Sequence, residues 1–150
     1  MRSMNARWFA LMCGVIYLLF GLTGLVQPGG ASTAPPTQLP LLFGIFPVNL
    51  LHSSFHVVFG VWGIAAVCKE STAAFYSHCV AICFGLLLLL GLIPTTQTLF
   101  GLAPIAGPYT WLYLVTLLLA AYFAWFLPTS DPQWTTRSTR GSTQAPRSRS

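Results

Sequence analysis

The sequence predicts an all-α fold: a polytopic membrane protein whose four transmembrane helices form a bundle of two tandem helical hairpins. Three observations lead there. Only 6% of the 150 residues are charged and 55% are hydrophobic, whereas about a quarter of a soluble domain is charged. Four continuous apolar stretches, at about 6–26, 47–68, 73–93 and 108–127, match the roughly 20 residues that a helix rising about 1.5 Å per residue needs to cross a hydrocarbon core about 30 Å thick. Finally, every Lys and Arg falls on one side of that pattern. Arg2 and Arg7 lie at the start of the first stretch, Lys69 separates the second from the third, and Arg137, Arg140, Arg147 and Arg149 follow the fourth. The loops 27–46 and 94–107 carry no charge. Cytoplasmic loops collect Lys and Arg, so both termini and the middle loop are expected inside.

Taken in order, the first stretch begins like a secretory signal, with Arg2 and Arg7 ahead of an apolar run and Ser32-Thr33-Ala34 as a loose cleavage site. The run from Trp8 to Val26 is longer than the usual 7–15 residues of such a signal, and Pro35 would follow the cut. It is therefore expected to remain as the first transmembrane helix, with Ala10, Gly14, Gly21 and Gly24 on a small-residue face. Residues 27–40 are polar and broken by Pro28, Gly29, Gly30, Pro35, Pro36 and Pro40, a composition that opposes regular structure. The apolar pieces 41–46 and 99–103 are too short to span, and are expected along the interface or dipping into the mouth of the bundle.

The second stretch carries the polar residues of interest. Asn49, His52, His56, Gly60 and Gly63 recur at steps of three, four, four and three, so they share one helical face. Polar groups in hydrocarbon need partners, which turns this face toward the bundle. On the fourth stretch Tyr113, Thr116, Ala120 and Ala124 form a comparable face. Trp8, Tyr76 and Trp125 at the inner edges, and Tyr109 and Trp111 at the outer edge, match an interfacial aromatic belt. Residues 129–150 hold ten Ser or Thr and four Arg among twenty-two positions. Such a tail buries too little surface to offset its ordering entropy and is expected to be disordered.

An internal repeat underlies the hairpins. Leu42-Phe43-Gly44-Ile45-Phe46-Pro47-Val48 aligns with Leu99-Phe100-Gly101-Leu102-Ala103-Pro104-Ile105, and Gly24-Leu25-Val26 with Gly91-Leu92-Ile93. The two offsets differ by an insertion within 31–40. Two crossings per copy make the repeats parallel, related by an axis along the membrane normal. The same alignment pairs Tyr113 with His56, two residues expected to face each other across that axis.

The missing residues narrow the function. Glu70 and Asp131 are the only acids, and apart from Arg7 at the edge of the first stretch no ionised group lies within a predicted span, although ion-coupled transport usually works through such groups. There is no carboxylate pair, phosphate-cradling Gly loop or Ser-His-Asp set. The net charge of +5 reflects topology and attraction to anionic lipid, so no nucleic-acid partner is expected. None of the four cysteines lies in an outer loop: Cys13, Cys79 and Cys83 fall inside apolar stretches and are expected as small buried hydrophobes, and Cys68 sits at the inner end of the second stretch.

His52 and His56 admit three readings: interhelical hydrogen-bonding glue, ligation of a metal or an axial position on haem, or part of a solute path with Asn49 and Thr116 in an oligomeric channel. His78 enters from the opposite end and is a poor partner for His52. No cofactor is expected under the first reading. The partners expected are the lipid bilayer and, through the faces bearing Gly14, Gly21, Gly24, Gly60, Gly63 and Ala120, a second copy or a larger membrane complex. The function expected is therefore non-enzymatic, as a structural or accessory membrane component.

From Phe43-Gly44-Ile45-Phe46-Pro47-Val48-Asn49-Leu50-Leu51-His52, through His56 and Gly60, to Gly91-Leu92-Ile93-Pro94, Leu99-Phe100-Gly101-Leu102 and Trp111-Leu112, the chain resembles the bacterial membrane proteins grouped as domain of unknown function 4383. The likeness runs from about Trp8 to Phe126. It implies four helices in a bacterial inner membrane and carries no activity with it. It also implies a His after the Trp-Leu pair in many members, where this chain has Tyr113.

Overall fold

The computed structural model describes residues 3–32 and 38–126, with side chains described from Ala6 onward. Arg2, the tail 129–150 with its arginines and Asp131, and half of the 31–40 insertion lie outside the described residues. The chain runs through α1 (Ser3–Val26), a hairpin of β1 (Leu41–Leu42) and β2 (Phe46–Pro47), α2 (Leu50–Ala66), α3 (Glu70–Leu92) and α4 (Pro108–Ala121), which continues as a π-helical turn over Tyr122–Phe126. The protein is mostly helical, as expected. Three helical stretches, Ala6–Val26, Glu70–Leu92 and Pro108–Phe126, are long and apolar enough to cross a membrane.

The second helix departs from expectation. It starts at Leu50 rather than 47 and has 17 residues, about 26 Å at the usual rise. Pro47 has no N–H to give and pushes the residue before it into extended backbone; accordingly Phe46 and Pro47 pair antiparallel with Leu42 and Leu41. Asn49 then caps the helix, its side-chain oxygen accepting from the His52 N–H at 2.9 Å. At the other end Lys69 takes extended backbone as the N-cap of α3, and Glu70 occupies the first turn, where a carboxylate complements the helix dipole. Pro108 opens α4 as its first residue, after Gly107 at φ 69°.

The hairpins are real packing units. α1 lies mainly on α2, α3 mainly on α4, and α1 also meets α3. Glycine makes the first pairing close. A Cβ on Gly14 would lie 2.7 Å from the Ile64 nitrogen and 2.9 Å from the Gly60 oxygen, and one on Gly63 would lie 2.8 Å from the Ala10 oxygen. Gly21 and Gly24 sit likewise against Ser53 and Val57 of α2. The small-residue faces of α1 and α2 therefore face each other within one chain. These glycines thus let neighbouring helices of the one chain approach closely. Ala120 is buried on α4, in the core cluster and not in the α1–α2 seam.

The core is aromatic: Tyr17, Phe59, Tyr76, Phe84, Tyr109 and Tyr113 are all buried. Two of these correct the belt reading. Tyr76 donates to the Phe59 carbonyl at 3.1 Å and Tyr109 to the Pro47 carbonyl at 2.8 Å, so both face inward. Trp8, Trp111 and Trp125 remain exposed.

The two ends of the bundle differ. At one, the Arg7 Nε–H donates to the Val67 carbonyl at 2.7 Å, bringing Arg7 beside the α2–α3 turn that carries Lys69. At the other, the hairpin meets the 94–107 loop, where Asn49 Nδ2 donates to the Leu102 carbonyl at 2.6 Å. Both apolar loops turn at a Phe-Gly pair in left-handed backbone, with φ of 54° and 71° at Phe43 and Gly44 and of 58° and 87° at Phe100 and Gly101. A bulky residue in that region is rare. These aromatic tips project from the uncharged end, both strongly exposed.

Candidate functional site

Asn49 sets the geometry of the site. By capping α2 it fixes the first turn, which carries His52, and places His56 one turn deeper. The two imidazole centroids lie 4.5 Å apart, and the His52 ring also contacts Tyr109 at 4.1 Å. His56 touches Tyr17 and Phe20, each at 5.1 Å, and is fully buried. Its Nδ1 is 2.9 Å from the His52 carbonyl. A carbonyl oxygen only accepts, so Nδ1 carries the hydrogen, and a neutral ring then presents Nε2 as a bare acceptor.

That acceptor has no partner. His56 Nε2, His52 Nε2 and the Ser53 hydroxyl are buried without a hydrogen bond. Leaving a buried polar group unpaired costs about 1–3 kcal/mol. Neither Nε2 atom makes an interhelical hydrogen bond among the described residues, in contrast to the first of the three readings. That work falls to other side chains. Tyr17 of α1 meets the Thr116 hydroxyl of α4. Thr116 in turn donates to the Leu112 carbonyl at 2.8 Å, so the Tyr17 hydroxyl is the donor of the pair. Tyr76 ties α3 to α2, and Asn49 and Tyr109 tie the two uncharged loops to the rest. Tyr17 was missed from sequence, although a tyrosine in the middle of an apolar stretch, rather than at its edge, was the available signal.

Of the expected cluster, Asn49, His52, His56 and Tyr113 lie in one neighbourhood, and Thr116 joins it only through Tyr17. His56 and Tyr113 both contact the Phe84 ring, at 6.4 and 5.5 Å. They therefore share an aromatic neighbour. His78 bonds the Ala74 carbonyl at 2.7 Å and stacks edge-on against Trp125, away from the pair, as expected.

Beside His52 lies a cavity of about 140 Å³ between α2, α3, α4 and the second uncharged loop, with Tyr113 on its far side. A larger hollow of about 380 Å³, bordered by Asn49, Ser54 and Leu102, adjoins it across Leu51.

The sequence matches a family described as a domain of unknown function (DUF4383) over residues 7–126. The chain belongs to the DUF4383 family. The match takes in the hairpin, all four helices and both histidines of α2. No curated protein and no solved structure matches the chain.

Within this DUF4383 chain the chemical repertoire of the site is narrow. Among the described residues no three of His, Cys, Asp and Glu come together, so a metal on His52 and His56 would need further donors of another kind. The four cysteines are free. Cys13 is buried, 3.6 Å from the Tyr76 hydroxyl, Cys79 and Cys83 are only partly buried, and Cys68, past the end of α2, is exposed. The arrangement can hold a neutral molecule by one or two hydrogen bonds. It offers no nucleophile paired with a base.

Proposed function

We propose that this protein crosses the bacterial cytoplasmic membrane four times, with both termini inside, and acts there without catalysis as an accessory membrane component. The observation that carries the crossing is the Arg7–Val67 hydrogen bond. It gathers the described cations at one end of the bundle and leaves the uncharged loops at the other. α2 alone falls short of a hydrocarbon core about 30 Å thick. Residues 46–49 add roughly 13 Å of extended chain at about 3.3 Å each. Non-helical backbone is tolerated at that depth where protein covers it, and Val48 and Asn49 are buried, with the Val48 N–H donating to the Pro40 carbonyl at 3.0 Å. The repeated Phe-Gly turns, and the contact of Gly24 with Val48 mirrored by that of Gly91 with Ile105, support descent of the two hairpins from one. An accessory role is favoured by a core tied together by tyrosines and by the confinement of ionised groups, Arg7 and Glu70, to the ends of the described spans.

Reporter fusions after Ile105 and Thr129 test the crossing: the first is expected outside and the second inside, and reports from one side overturn it. Native mass in mild detergent tests the role, since a strictly monomeric particle with no companion counts against an accessory component. A second reading, haem or metal on His52 and His56, draws on their unpartnered Nε2 atoms. A Soret band or stoichiometric metal in the purified protein would favour it.

A further inference from the structure

We propose that the cavity between His52 and Tyr113 is a binding site for the hydroxylated six-membered ring of a small, lipid-soluble phenol or quinol. The proposal goes beyond the accessory role and does not depend on it.

Size comes first. The space is about 140 Å³, close to the roughly 150 Å³ apolar cavity that takes up one benzene molecule. Its walls are apolar, with Leu51 and Phe55 from α2, Leu87 from α3 and Ile105 from the second uncharged loop. Water finds at most two side-chain partners there, the fewest an ordered site needs. An aromatic or alicyclic ring fits those walls, and a long polar solute does not.

Chemistry comes second. Nearly all of the lining surface is apolar, and His52 and Tyr113 are the lining residues that carry a polar group a ligand could reach. His52 is buried with Nε2 unpartnered, and its ring is fixed by contacts with Tyr109 and His56. Tyr113 engages its surroundings through ring contacts with Phe84 and Tyr109. A ligand hydroxyl both donates and accepts, so it satisfies the imidazole in either tautomer. A charged ligand is disfavoured, because no ionised side chain lines the cavity to compensate it.

Access comes third. Leu51 borders both this cavity and the larger hollow that Asn49 and Ser54 line, and it is 48% exposed. It stands between the ring-sized space and the surroundings of the uncharged end. A substituent on the bound ring has a way out past Leu51.

The test uses full-length protein in nanodiscs and 4-fluorophenol as probe, read by fluorine NMR, with fluorobenzene as the control lacking the hydroxyl. Saturable binding of the phenol is expected. Its affinity should fall about tenfold in His52→Leu, the equivalent of one hydrogen bond, while fluorobenzene binds no more weakly. Ala103→Leu, which fills the cavity from the loop, should abolish both. Circular dichroism and native mass establish that each variant folds; should His52→Leu not, His52→Gln takes its place with the same expectation of weakened phenol binding. Equal phenol affinity in wild type and the His52 variant, binding undiminished in Ala103→Leu, or no saturable binding to folded wild type each overturn the proposal. Decyl-hydroquinone placed in the nanodisc lipid separates the sources. Displacement of the probe supports a quinol reaching the site from the bilayer, and failure to displace overturns that route, leaving free phenols as the ligand.

Discussion

Replacing Gly14 by alanine tests whether the α1–α2 seam is set by backbone contact. The new Cβ would fall 2.7 Å from the Ile64 nitrogen and 2.9 Å from the Gly60 oxygen and the Gly63 carbonyl carbon. The tightest of these is about 0.7 Å inside the 3.4 Å of ordinary contact, and every atom met is backbone. No rotamer change relieves it, so the two helices must separate and lose the packing along the seam. Overpacking of this kind costs about 1–3 kcal/mol. Against it stands a gain of roughly 0.5–1 kcal/mol from replacing glycine within a helix. Gly85→Ala provides the control, because its Cβ would meet only Leu117 methyl groups at 3.4 and 3.8 Å. The helix-propensity gain is common to both variants and cancels in the comparison. Gly85→Ala should therefore be neutral or more stable, and Gly14→Ala about 1–3 kcal/mol less stable than it. Reversible unfolding of both variants in mixed micelles of increasing denaturing detergent reads the difference. If Gly14→Ala unfolds at the same point as Gly85→Ala or later, the seam is not closed by backbone contact and the account of α1 on α2 fails.

Tyr17→Phe removes the donor to Thr116 and should cost about 0.6–2 kcal/mol, the range for interhelical hydrogen bonds in membranes. In a double-mutant cycle with Thr116→Val the two losses should not add, and additive losses would argue against the bond. Asn49→Ala loses both the helix cap and the bond to Leu102, for a destabilisation of about 2 kcal/mol. Asn49→Ser keeps the cap and should recover about half, as measured by the same unfolding assay. Exposed Cys68 should react with a membrane-impermeant maleimide in inverted vesicles and not in intact spheroplasts, while buried Cys13 stays unlabelled in both. Labelling of Cys68 from outside would reverse the proposed orientation.

The helices were legible because a long apolar run leaves the backbone one way to satisfy its hydrogen bonds in lipid. Their ends were legible only where a local residue decides them. Pro108 opens α4 where its missing N–H is harmless, and the expected start held. At the second helix the apolar run continues through Pro47 and Val48, so hydrophobicity alone set the boundary too early. The deciding interaction was the Asn49 side chain on the His52 N–H, one hydrogen bond that composition does not register. Glu70 extends α3 beyond the expected start for a similar reason, because a charged residue reads as loop until its place in the first turn is known.

The candidate site shows the same division between face and partner. Periodicity placed Asn49, His52 and His56 on one inward face, and that much follows from 3.6 residues per turn. What the polar atoms meet depends on the other helices, and there neither histidine Nε2 makes the expected interhelical bond. The helix-spanning bonds come from phenols, which reach farther than an imidazole. A Tyr hydroxyl stands at the end of a long rigid side chain, so Tyr17 extends from α1 to Thr116 on α4, a separation of 99 residues in sequence. An imidazole four residues beyond another is instead close to its own helix carbonyl, as the His56–His52 bond shows. Glycines bring α1 and α2 together, tyrosines tie the hairpins, and the histidines are left with nitrogen atoms that the bundle itself does not use. Keeping two unpaired nitrogens buried costs stability. Isosteric apolar residues would avoid that cost, which is the ground for testing a bound hydroxyl at His52.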